Sequence, residues 1–197
     1  MKRIAVVALL SLALATSVFA QAQDTVTVTA AVQAVVVFTV DTPLGGSTFD
    51  FGNVDAVGTG TYNVGLVVAP GVSSTTYTAT GAFEWELRSA PRANADVTST
   101  ASKTVGTTVA PDGLGRASMA LGQLQMDWNQ TNGNGTVTSL LTPIAATNTW
   151  IDNAVVGNGN GGPAPRNEGT IDLRLTVDDD DLAEANEWTI VFTATLS

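Results

Sequence analysis

In the stretch AFEWELRS, residues 82–89, the large apolar side chains Phe83, Trp85 and Leu87 alternate with the charged Glu84, Glu86 and Arg88. An extended chain sends successive side chains to opposite faces, so this pattern gives one oily face and one wet face. A helix, turning every 3.6 residues, would scatter both characters around its circumference. The stretch is a strand, and it constrains the fold because the same period recurs along the chain.

TVTVTAAV (25–32) places Val26, Val28, Ala30 and Val32 on one face and threonines on the other. LQMDWN sets Leu124, Met126 and Trp128 against Gln125, Asp127 and Asn129. TYNVGLVV (61–68) alternates Tyr62, Val64, Leu66 and Val68. STFDFGNV (47–54) puts Phe49 and Phe51 on one side, with Gly52 at a bulge or bend. AVVVFTV (34–40) is apolar on both faces and β-branched, which predicts a buried strand. Turn-forming runs separate these segments: TPLGG, APDGLG, NGNG at 132–135 and GNGNGGPAP at 157–165. No amphipathic helix of ten residues and no internal repeat interrupts the pattern. The expectation is an all-β fold, an immunoglobulin-like or jelly-roll antiparallel β-sandwich. Aromatic residues make up 6% of the chain, thin for the girdles of an outer-membrane barrel.

The N-terminus reads as a secretory signal peptide over residues 1–22. Lys2 and Arg3 precede an apolar run from Ile4 to Ala15, then small residues, with cleavage after Ala20 or Ala22. The run falls short of the roughly 20 residues of a membrane span, so no transmembrane span is expected after cleavage. Residues 23–197 are then one exported domain: extracellular, at the cell surface or periplasmic. Losing the leader removes two of eight basic side chains and none of the 18 acidic ones, which argues against nucleic acid as a partner. The chain has no cysteine and no histidine. Ser-His-Asp and Cys-His nucleophiles and ordinary zinc sites are excluded, and no enzyme is expected.

The four aspartates of VDDDDLAEANEW are the strongest local chemical signal. TIDLRLTV (170–177) and EWTIVFTATL (187–196) each carry an apolar face and are expected to pair as a hairpin, with 178–186 connecting them. Asp181 and Glu184 fit a capping box, predicting a single helical turn there. Asp178, Asp179, Asp180, Asp181 and Glu184 are also a candidate calcium cluster, since calcium takes several carboxylate oxygens. The EF-hand glycine and terminal glutamate are absent. Calcium is the one cofactor considered.

Glu84 and Glu86 share a face about 7 Å apart, a spacing glycosidase carboxylates use. Arg88 lies on that face too, which marks it as a solvated surface. Trp85, Trp128 and Trp188 fall in apolar phase and belong to the core. Trp150, in TNTWID, has no assignable face and is the candidate for contact with a ligand. Asn129-Gln130-Thr131 matches a glycosylation acceptor.

Taken together, the alternating Thr/Val/Ala segment, the apolar strand after it, FDFGNV and the closing EWTIVFTATLS resemble the broad group of small secreted bacterial β-sandwich proteins that includes fimbrial-type and surface-layer-associated subunits. The resemblance implies a structural or adhesive role. WELRSAP is similar to the Trp-x-Leu motif of the WxL cell-wall-binding family through Trp85, Leu87 and Pro91, although it lies mid-chain. The functional expectation is a surface structural protein that self-associates into a coat or filament. Val26, Val28, Ala30 and Val32 would form an assembly strand added to a neighbour's sheet edge, the alternative being that residues 24–32 pair within their own domain. A carbohydrate or cell-wall binding module, with a cell-envelope polymer as partner, is the other expectation.

Overall fold

A computed structural model describes residues 29–31, 35–90, 93–106, 114–133, 136–137, 142–156 and 167–197. The chain divides into 1–32 and 33–197. The leader, Val26, Val28, Val32, Pro91 and the 157–165 run lie outside the described residues, whereas Ala30 is exposed and has no regular structure.

The second unit holds ten described strands: β1 (Val35–Asp41), β2 (Val67–Pro70), β3 (Ser74–Ala90), β4 (Ala93–Val105), β5 (Leu124–Asn132), β6 (Thr136–Val137), β7 (Thr142–Pro143), β8 (Thr147–Val156), β9 (Asn167–Asp178) and β10 (Glu187–Leu196). Among the described residues the only helical segment is one 3-10 turn, Leu121–Gln123. One sheet has the order β1-β3-β9-β5-β7, with β2 also on β3, and the other the order β10-β4-β8-β6. The described strand pairings are antiparallel, and the two sheets pack as a sandwich.

Alternation explains which faces meet. Tyr77, Trp85 and Leu87 of β3, Leu124, Met126 and Trp128 of β5, and Ile171, Leu173 and Leu175 of β9 form one inner wall, all buried. Ala95 and Val97 of β4 and Trp150, Ile151 and Ala154 of β8 form the other. Apolar area leaving water drives this closure at roughly 25 cal/mol per Å². Seventeen residues make β3 too long to stay flat, and it bends at Gly81, where φ is +61°. Between Ala79 and Phe83 it advances four residues while β9 advances two, and Asp172 Oδ1 accepts the freed Gly81 N–H at 2.7 Å.

Three sequence expectations are corrected. The segments 170–177 and 187–196 do not form a hairpin: β9 pairs with β3 and β5, whereas β10 pairs with β4 in the opposite sheet. Their apolar faces meet across the core instead of lying side by side, and 179–186 is a sheet-to-sheet crossing. AVVVFTV does form a strand, but at a sheet edge, with Val35 and Val37 52% and 50% exposed. Of TYNVGLVV only the last two residues enter a strand, and Val64 is 99% exposed.

The connection 42–66 is held by specific bonds. Tyr77 Oη donates to Asp55 O at 2.7 Å and accepts from Asp55 N–H at 3.0 Å, while Thr75 Oγ1 donates to Ala56 O at 2.7 Å. Gly52, at φ +78°, bridges to Tyr62, so the glycine does mark a bend.

Candidate functional site

β10 alternates as its sequence dictates, with Glu187, Thr189, Val191, Thr193 and Thr195 exposed. Trp188, Ile190, Phe192, Ala194 and Leu196 face inward but remain only half-buried. The cause is position: β4 flanks β10 on one side, and no described strand flanks it on the other. Natural edges are usually defended by lysine, proline or a central bulge. β10 contains no lysine, arginine or proline, and its single register shift lies at its first step, Glu187 to Trp188. Among the described residues no strand pairs with β1 on the side away from β3 either. Both open edges lie on one side of the sandwich, because the Phe38 and Phe192 rings meet edge to face at 6.1 Å.

Behind these edges the sheets part around a cleft of about 1070 Å³. Phe83, Met126, Leu173 and Leu175 line one side and Ile190 and Phe192 the other. Phe49 and Phe51 of the 42–66 connection, packed edge to face at 5.1 Å, close one wall. The cleft has a mixed lining, these apolar side chains standing beside the carboxylates of Asp178, Asp181 and Glu187, and an unpaired strand along its rim offers the main-chain partners that strand addition requires.

The aspartates border the polar end of this cleft. Carboxylate oxygens of Asp178, Asp180 and Asp181 lie within 4.8 Å of one another. Asp179 is outside that group, and the Glu184 carboxylate accepts from Ser118 Oγ. Gln123 Nε2 donates to Asp181 Oδ2 at 2.8 Å, Asp178 Oδ2 at 3.1 Å and Thr176 O at 3.2 Å, so a neutral amide ties the cluster together. Burial first, then the charges of Asp181, Asp180 and Asp179, raise the Asp178 carboxyl above its ordinary range, against the Gln123 bond. The expected helical turn does not form. Asp179 and Asp180 make a tight turn closed by Asp181 N–H to Asp178 O at 3.1 Å, and Asp181 then bridges to Ala117. Nearby, Lys103 Nζ donates to Met119 O at 2.8 Å and lies 5.7 Å from the Trp188 ring centroid. Burial pulls its pKa down, opposed by the charges of Glu184 and Asp181.

Trp150 is corrected. It is 0% exposed, and its Nε1–H donates to the buried Ser99 Oγ at 2.8 Å, so its ring presents no face to a ligand. The alternation misleads there because β8 carries register shifts on both sides of Ile151, which bring Trp150 and Ile151 into the core together. Trp85 and Leu87 are core residues, and Trp188 is half-buried. Glu84 is exposed, and Glu86 pairs with Arg88, whose Nη2 donates to Glu86 Oε2 at 2.6 Å. Asn129 lies within β5, part-buried, with Nδ2 donating to Asp172 Oδ2 at 3.3 Å, so it is not presented on a loop for glycosylation.

The open cleft is the feature that sequence reasoning missed. Its signal was β10's own composition, a ten-residue apolar/threonine strand with no guarding residue. Compared with known proteins, the chain matches no family model, and none of the characterised proteins matches it significantly.

Proposed function

We propose that this chain is an exported surface structural protein that associates with copies of itself, as a coat or filament, by β-strand addition. The observation that supports the reading is the ten-residue edge of β10, free of lysine, arginine and proline and without a described strand on its outer side, beside a cleft partly lined by apolar side chains. An edge of that kind is a template for another strand, and a monomer that never used it would carry an aggregation hazard. Val26, Val28, Ala30 and Val32 are the assembly strand in this reading.

Light scattering and negative-stain microscopy of residues 23–197, beside a variant lacking 23–32, test it. The longer chain forms oligomers or filaments, while the truncated chain stays monomeric and melts cooperatively. A longer chain that is monomeric at every concentration, or a truncated chain that does not fold, overturns the proposal.

A further inference from the structure

We infer, independently of strand addition, that the cleft between the sheets binds a small organic cation. Its ligand is an amine or quaternary ammonium compound with an alkyl or aryl body, the body lying against the aromatic walls and the charged head at the acidic rim.

The lining sets the sign of the ligand. Asp178, Asp179, Asp181, Glu184 and Glu187 border the cleft, and Asp50 and Asp55 join them from the 42–66 connection. Among the described residues no lysine or arginine lines it. Lys103 stands close by over Trp188, but its Nζ donates to Met119 O at 2.8 Å, and it brings one positive charge against seven negative ones. Low-dielectric walls focus the field of like charges into a cleft. Asp178 feels that field: burial first, then the charges of Asp181, Asp180 and Asp179, raise its carboxyl. A positive head among them relieves the repulsion, whereas a carboxylate or phosphate ligand would add to it.

The walls set the body. Phe49 packs edge to face with Phe51 at 5.1 Å and with Phe83 at 6.4 Å, and Trp188 and Phe192 add two further rings from β10. Aromatic faces attract an ammonium group within roughly 6 Å of the ring centroid. A quaternary ammonium, which donates no hydrogen bond, depends on such faces most. Met126, Leu173, Leu175 and Ile190 give an alkyl or aryl body its apolar floor. The cleft's volume of about 1070 Å³ is that of a small-molecule site. A bare calcium ion takes oxygen ligands alone and would leave this floor unused.

Isothermal titration of residues 23–197 with decyltrimethylammonium, kept below its micelle concentration, tests the site against decanoate, an anion of the same chain length. The expected result is saturable binding of one cation, about ten-fold or more tighter than decanoate and weaker as salt is added. Tryptophan emission should shift with the same midpoint, because Trp188 lines the cleft. Asp179→Asn and Glu187→Gln, at exposed positions of the rim, weaken the cation several-fold and leave decanoate unchanged or tighter. Phe51→Leu, which keeps an apolar side chain but removes the ring, also weakens the cation. Circular dichroism melts confirm that each variant folds. Equal affinity for cation and decanoate, no saturable heat, or variants that bind as the parent does overturn the site. A chain lacking 23–32 that binds the cation where 23–197 does not makes the chain's own N-terminal segment the occupant, and overturns it too.

Discussion

Trp128 of β5 stacks on Trp150 of β8 with ring centroids 5.6 Å apart and planes 9° from parallel, joining the two sheets through a pair of indoles. Trp128 also stacks on Phe38 at 6.1 Å and meets Trp85 at 5.4 Å and Phe192 at 5.5 Å. One side chain thus touches residues of β1, β3, β8 and β10. Trp128→Ala is expected to cost about 3–5 kcal/mol, the usual loss for a fully buried tryptophan. Urea unfolding followed by circular dichroism measures it, and a loss below 1 kcal/mol contradicts the hub role.

Trp150→Phe keeps most of the stacking but removes the donor to Ser99 Oγ. The expected cost is about 1–3 kcal/mol, from lost volume and a buried hydroxyl without its partner. The double variant with Ser99→Ala should recover part of it, since both polar partners are then gone.

The acidic turn predicts a pH dependence. Asp178 is raised above its ordinary 3.8, by burial and then by its aspartate neighbours, and Asp127 is raised by burial and then by Asp172. Groups with raised folded-state values favour folding most when protonated, so their contribution is full below 3.8 and is lost as pH rises through the folded values. Asp55 works oppositely: burial raises it, but bonds from Thr59 and Val57 prevail and lower it, so its contribution is lost only as pH falls below 3.8. The melting temperature is therefore expected to rise from pH 7 toward pH 4–5 and to fall in stronger acid. Asp178→Asn should raise the melting temperature at pH 7 and flatten the rise.

Gln123→Ala removes the amide shared by Asp178 and Asp181. The expected loss is about 1–3 kcal/mol at neutral pH, typical of hydrogen bonds to charged groups, and less near pH 4. Thermal melts at the two pH values check it, and equal losses would mean that the amide acts only through packing.

Tyr77→Phe deletes the hydroxyl that holds both the N–H and the carbonyl of Asp55. Amide hydrogen exchange at Asp55 should quicken about five-fold or more, while exchange in β9 stays unchanged. Global loosening instead would place the tyrosine in the core network alone.

The all-β class was legible in the alternation of AFEWELRS, LQMDWN and TIDLRLTV, because period two needs no tertiary information. Partner choice was not legible. The segments 170–177 and 187–196 carry the same pattern whether they lie side by side or face to face, and only the whole set of apolar faces selects the second. Trp150 was unreadable because the register shifts of β8 break the period where it sits. At the candidate site, β10 was visible as a strand, but its edge position depends on what pairs with β4. The gathering of Asp178, Asp180 and Asp181 follows from the tight turn at Asp179–Asp180, and the Gln123 clasp reaches them from 55 residues away.

β10 finds its place against β4, with Trp188 opposite Lys103 and Leu196 opposite Ala95. Strands β5 to β9 must be synthesised between those partners before they meet, and contacts so distant in sequence assemble slowly. A nascent chain therefore cannot close the β10-β4-β8 sheet until residues 187–196 emerge, so the strand that carries the open rim is the last of the described strands to find its partner.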